Sequence, residues 1–427
     1  MMRIRALMLM IIVLMLGDLI LRGVVPSFTE GKNDFTDPYV ASWLWCHGTN
    51  PYDVVQATVA GKALTESPMR VVPIYPPTTY MLVAPLTLLS WHWANLVLAS
   101  LESLAVCGMA LCVVAISRHT LWDDEAWVIA ALVLAFASFH TSVHVANISV
   151  ISTVLCALSV YLASRDRDLG AGILLGLAAC LKPHLGIWLF MFYLLRRKWR
   201  LVASGSLSGT LLLAAALARI GLPAHALLAN YSANLHHWFR PGGENDFSLA
   251  NPLRFELANL EVVLAPMLGY AGAYVVAFGL AAVGFGLWTY SVHRNPRCST
   301  ALALSSLLAL SFLPVYHRVY DTGILTLVLA WIFEADRRAL DHRQKRVQWI
   351  AFGLFLLLLL PIQSLAVRAQ SYVSPRAMHS WWWNFVLAPY TSWTLLAFSA
   401  VLLYALLISP GRAAPAPRPE FKAAASS

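Results

Sequence analysis

Asp34 and Asp37 stand three residues apart just after an apolar stretch, ahead of Tyr39 and Trp43. A carboxylate beside a membrane cavity can accept a proton from a sugar or lipid hydroxyl, work worth roughly 100- to 10,000-fold in rate. The competing reading is a turn or capping Asp before a surface helix. Lys182 and His184 flank Pro183 between two half-length apolar runs. A Lys near the bilayer centre costs about 2.5–3.5 kcal/mol on insertion scales and so faces a cavity or a partner. At the tip of a re-entrant pair it can hold a phosphate as a point charge, unless it only snorkels from a helix end. His317-Arg318 and Tyr320-Asp321 follow Pro314 in a short turn. The planar guanidinium suits a phosphate, or else Arg318 merely pairs with Asp321. His140, His144 and Asn147 recur at helical spacing. Two histidines four apart can bind a metal, but no carboxylate lies near them in the chain, so polar cavity lining, together with Tyr39 and Tyr75, is the better reading.

The elements that must position these residues are membrane helices. Of the 427 residues, 59% are hydrophobic and only 12% charged, and the mean hydropathy is +0.66. A soluble chain carries about 25% charge, so this is an all-α polytopic membrane protein. The net charge of +9 reports orientation, because Lys and Arg are retained in cytoplasmic loops; no nucleic-acid partner is expected. Five of the six cysteines lie in apolar runs or a basic turn, and only Cys46 falls in an outer loop, which argues against a structural disulfide. Arg3 and Arg5 precede an apolar run without a cleavage site after it, which predicts a retained first span.

Apolar runs near 5–23, 91–117, 125–140, 146–163, 200–219, 263–292, 299–315, 320–334, 347–366 and 390–408 predict spans, some shorter than the ~20 residues a straight crossing needs. The run 170–195 decides the topology. Split at Lys182-Pro183, where proline removes a helix hydrogen bond, it becomes two short helices that enter and return. About twelve segments result, with both termini inside. The inner face then holds 19 of the 30 Lys and Arg, as the positive-inside rule expects. Nearly all the unusual polar residues fall on the outer face, on loops 24–77, 220–262 and 367–389 and in the short turns at 140–147, 182–184 and 317–321. Residues 1–409 read as a single membrane domain, and 410–427, rich in Ala, Pro and Ser, as a disordered cytoplasmic tail.

Asp34-Phe35, Tyr39-Val40-Ala41, Gly48, Pro51-Tyr52, Tyr75-Pro76-Pro77 and Pro85-Leu86 resemble the opening of glycosyltransferase family 87. Leu181-Lys182-Pro183 and Pro314-Val315-Tyr316-His317-Arg318-Val319-Tyr320-Asp321 are similar to its later signatures. The resemblance implies the GT-C membrane fold, a bundle like that of the polyprenyl-phosphate-mannose-dependent mannosyltransferases. It also implies a polyprenyl-phosphate-sugar donor, inverting transfer on the extracytoplasmic side, and a first-loop Asp as general base; it does not carry over the sugar or the acceptor, for which a lipid or glycan hydroxyl at a bacterial inner membrane is the expectation. Asp34 matches the position of that base, with Asp37 a secondary candidate. Lys182, His184, Arg318 and His317 are expected at the donor phosphate, and Tyr39, Tyr75, His140, His144, Asn147, Tyr320 and Asp321 around the substrates. No Asp-x-Asp pair appears in the first outer loop, and Arg and Lys can neutralise the leaving phosphate, so no metal and no cofactor is expected. The alternative is a transporter or flippase of a lipid-linked or small polar substrate, which would also explain many spans and buried charges; one-sided aromatic loops and the lack of an internal repeat weigh against it.

Overall fold

The computed structural model describes residues 2–29, 33–65, 70–220, 223–251, 253–295, 298–334, 341–361, 365, 372–387 and 389–409. Among these the fold is all-helical, with one isolated backbone bridge, Leu257 to Arg318. The expected tail at 410–427, and residues 366–371 of the last outer loop, lie outside the described residues.

Helix α1 (Met2–Leu19) continues through a π-helical turn and one more α-helical turn to Thr29. The stretch expected as an open outer loop contains α2 (Thr36–Cys46) and α3 (Val54–Thr65), followed by α4 (Pro77–Val83) and a 3₁₀ turn to Leu88. The reason is spacing: Phe35, Tyr39, Val40 and Leu44 recur every three to four residues and pack with Val71, Trp91 and Leu98. What reads as polar loop is a helical layer.

Helix α5 (Trp91–Ile116) turns Leu98, Glu102, Val106 and Met109 inward and Leu101, Leu104 and Leu111 outward. Then come α6 (Asp124–Leu134) and α7 (Ala137–His144), bent by 43° to one another, and α8 (Ser149–Ser164). Helices α9 (Asp168–Leu181) and α10 (Pro183–Leu195) come next, and then α11 (Trp199–Ile220) and the outer helix α12 (Ala224–Phe239). Helix α13 (Glu261–Arg294) kinks at Gly269, where φ is +69°, a left-handed conformation that glycine adopts without steric cost. Helix α14 (Thr300–Ser311) is buried on every side from Leu302 to Ser311, as a helix apolar all round must be. A 3₁₀ segment (Val319–Leu327) runs into α15 (Val328–Ile332), and α16 (His342–Leu358) and α17 (Tyr390–Ile408) complete the bundle. Among the described residues, five segments are long and apolar enough to cross a membrane, or six if α6 and α7 form one. Helices α8, α9, α10, α14 and the 319–332 segment are apolar but shorter.

Helices α9 and α10 form a hairpin: Lys198, just past α10, lies 3.1 Å from Asp166 and 3.2 Å from Asp168 at the start of α9. At 1.5 Å per residue the two arms reach about 20 Å, which puts Lys182 at the far tip. Its backbone is extended, φ −140° and ψ 93°, as a residue before proline prefers. The basic turns share the other end. Arg5 pairs with Asp124, His119 bonds Phe333 O at 2.6 Å, Ser299 bonds Glu334 at 2.9 Å, and Arg196 reaches Cys298 at 3.4 Å.

Candidate active site

At the hairpin-tip end lies a cavity of about 640 Å³. Its wall includes Asp34, Asp37, Tyr75, Asn147, Lys182, His184, Arg318, Tyr320 and Asp321. These come from five separate stretches of chain, so the bundle alone brings them together.

The local folding explains each placement. Asp34 is pinned by its own N–H, which donates to Val145 O at 2.9 Å, just after α7. The Asn147 amide donates to Asp34 Oδ2 at 2.8 Å, with Tyr75 Oη 3.4 Å from the same nitrogen. Burial, with the Asp34 charge nearby, pushes the Tyr75 phenol well up, so it stays protonated. Asn147 Oδ1 in turn accepts from the Ser149 N–H at 3.1 Å and lies 2.7 Å from the Ser149 hydroxyl, an Asx-type turn at the start of α8. The same hydroxyl lies 2.8 Å from Asp321 Oδ1 and also meets Lys182 Nζ. Lys182 Nζ is 3.1 Å from Asp321 Oδ1 and 4.8 Å from the centre of the Tyr320 ring. One hydrogen-bonded chain therefore links Asp34 to Asp321 through Asn147 and Ser149.

Arg318 is held by a separate set of partners. Its Nε donates to Tyr316 Oη at 3.0 Å, Nη1 to Glu256 Oε2 at 3.1 Å and Nη2 to Asn245 Oδ1 at 3.2 Å, with Glu244 at 3.6 Å. The guanidinium does not pin the turn through Asp321; the Asp321 carboxylate takes the Arg318 backbone N–H instead, at 3.1 Å. His184 Nε2 and His317 Nδ1 approach the same oxygen, Asp321 Oδ2, at 3.5 and 3.7 Å. His317 is fully buried, with its ring 4.1 Å from that of Phe312 and 4.9 Å from that of His184. In the turn before the 3₁₀ segment, burial pushes its imidazole down to about 4, so the ring is neutral near pH 7.

Four expected cavity or phosphate residues lie elsewhere. The Tyr39 hydroxyl donates to Leu89 O at 2.8 Å, and its ring packs on Trp91, because α2 turns that face into the core. His140 lies 2.8 Å from Asp18 and 2.7 Å from Leu134 O, and His144 meets Arg22 O at 2.8 Å; they brace α7 on α1 and on its π-helical continuation. His317 sits behind His184, outside the cavity lining. Conversely, Ser149, Glu256, Glu244 and Asn245 were not picked out from the sequence. Ser149 had a local signal, an Asn two residues ahead at a helix start. Glu256 had none, since its partner Arg318 is remote in the chain.

The charge of the wall is balanced. Arg70, Lys182, Arg240 and Arg318 are cationic, and Asp34, Asp37, Glu244 and Asp321 are carboxylates. Such a pocket offers a partly exposed carboxylate together with ion-paired cations. That combination suits attack by a hydroxyl and departure of an anion.

Residues 74–315 match the model of glycosyltransferase family 87. The matched stretch holds Tyr75, Asn147, Ser149, Lys182 and His184 and stops short of Asp34 on one side and His317–Asp321 on the other. No curated protein and no solved structure matches the chain.

Proposed function

The chain belongs to glycosyltransferase family 87 and is a membrane glycosyltransferase, and from that membership we propose that it moves a mannose-like hexose from a polyprenyl-phosphate-linked donor to a hydroxyl of a lipid or glycan acceptor. The acceptor oxygen attacks the anomeric carbon opposite the phosphate and inverts it, while Asp34 takes the hydroxyl proton. Lys182, His184 and Arg318 stabilise the phosphate as its charge develops. The observation that carries the reading is the Asp34 carboxylate, oriented by Asn147 on the wall of the same cavity as Lys182, His184 and Arg318. Asp37 lines that cavity too and is the second candidate for the base.

Transfer takes place on the extracytoplasmic side of a bacterial inner membrane. The basic turns gather at the end opposite the cavity, and basic turns stay in the cytoplasm, so both termini are cytoplasmic. The shorter helices, with the five long ones, make a GT-C-like bundle of about twelve segments, some of them re-entrant. Leu181, Pro183, Ile74 and Leu235 give the cavity an apolar flank against which a polyprenyl chain can lie.

The test is Asp34→Asn in purified protein with a polyprenyl-phosphate-sugar and an acceptor panel. Transfer is expected to drop by at least about 100-fold, with the melting temperature and donor binding retained. Turnover close to that of the unsubstituted protein removes Asp34 as the base.

A further inference from the structure

His184, His317 and Asp321 converge from two parts of the chain, two residues past the hairpin tip and across the turn that opens the 3₁₀ segment. We propose that they form a three-ligand site for a divalent transition-metal ion of the zinc class, with its open position towards the cavity. One ligand atom from each of His184, His317 and Asp321 lies within 4.8 Å of the other two. His184 Nε2 and His317 Nδ1 stand 3.5 and 3.7 Å from Asp321 Oδ2. Ligands at about 2.0–2.1 Å around a tetrahedral ion lie about 3.3–3.4 Å apart, so a metal fits with small side-chain shifts.

The second observation is the state of the imidazoles. Among the described residues, neither nitrogen of fully buried His317 has a hydrogen-bond partner, and His184 Nε2 has none either. Buried polar atoms are normally paired, and here unpaired nitrogens on two rings border one carboxylate oxygen. Two imidazoles and a carboxylate suit zinc and its first-row neighbours; calcium and magnesium favour oxygen ligands. The other carboxylate oxygen is held by Lys182 and Ser149, the outer-shell anchoring that orients a metal-binding carboxylate. Three protein ligands with a fourth position free is the pattern of zinc sites that act on a substrate.

The ion would also add positive charge to a wall whose four cations and four carboxylates balance, supporting Lys182 and Arg318 at the phosphate, with His184 acting through the ion. Its open position would take a phosphate oxygen. That use rests on the polyprenyl-phosphate donor of the proposed transfer, whereas the site itself rests on the three side chains. The inference replaces the expectation from sequence that no metal takes part.

The experiment is metal analysis of the full-length protein in detergent, stripped with a chelator and equilibrated with zinc ion alone. About one equivalent is expected to remain bound, and His184→Gln and His317→Gln should each remove most of it, while His140→Gln and His144→Gln retain it. A melting curve for every variant guards against loss through unfolding. If either substitution destabilises the fold, the zinc-induced rise in melting temperature of the unsubstituted protein, and its absence in the Lys182→Met/Asp321→Asn double variant, which leaves no buried charge unpaired, is the deciding pair. Well under one equivalent in the unsubstituted protein, or undiminished zinc in both histidine variants, overturns the site. Zinc bound as expected without transfer from any polyprenyl-phosphate-sugar leaves the site standing and removes the proposed donor instead.

Discussion

Asp34 does not act alone, because its carboxylate is aimed by Asn147, which is itself fixed by Ser149. Asn147→Ala is expected to lower kcat by roughly 100-fold, the scale of loss from misplacing a catalytic group by about 1 Å. The donor KM should hardly move, and the same substitution on top of Asp34→Asn should cost nothing further. An equal loss in both backgrounds would sever Asn147 from Asp34. At the other end of the chain of hydrogen bonds, Lys182 and Asp321 are a buried pair, with side chains 5% and 1% exposed. Removing one partner of such a pair costs roughly 3–5 kcal/mol. Lys182→Met should therefore lower the melting temperature sharply and weaken use of the phosphate-linked donor. Adding Asp321→Asn should recover stability but not transfer. Recovery of both would make Lys182 a structural residue.

At the scale of elements, the site depends on how closely α9 and α11 approach. A methyl group on Gly172 would overlap Ser204 Oγ and Leu201 O, and one on Gly176 would lie 2.6 Å from Gly205 O. Small residues four apart let membrane helices meet backbone to backbone, and here they brace the hairpin that carries Lys182 at its tip. Gly172→Ala should destabilise by roughly 1–3 kcal/mol through overpacking. Gly279→Ala in α13, where nothing lies within 4 Å of the added methyl, should be neutral or stabilising by up to about 1 kcal/mol. Melting curves of the two variants, side by side, test the contact. A similar effect of both would mean that the crossing is not what holds the hairpin.

At the scale of the whole molecule, the cavity and the basic turns occupy opposite ends of the bundle. In a Cys46→Ser background and intact cells, a membrane-impermeant maleimide should label Gly242→Cys beside the cavity and spare Lys198→Cys at the hairpin base. The reverse pattern would put the cavity in the cytoplasm and remove the extracytoplasmic reading. Much of this architecture was legible in the chain itself. Apolar run length determined the membrane class, and proline chemistry at Pro183 determined that α9 stops at Leu181 and a new helix begins. The residue types at Asp34, Lys182 and Arg318 marked a hydroxyl-and-phosphate chemistry, because charge inside a membrane protein must face something. Only the tertiary structure decided which polar residues meet. It turned Tyr39, His140 and His144 into packing contacts, added Ser149 and Glu256, and set His184 beside His317 on one carboxylate oxygen. Local preferences act over a few residues and are written in the neighbouring sequence. Pairings across the bundle depend on how whole helices pack, and no short stretch of sequence encodes that.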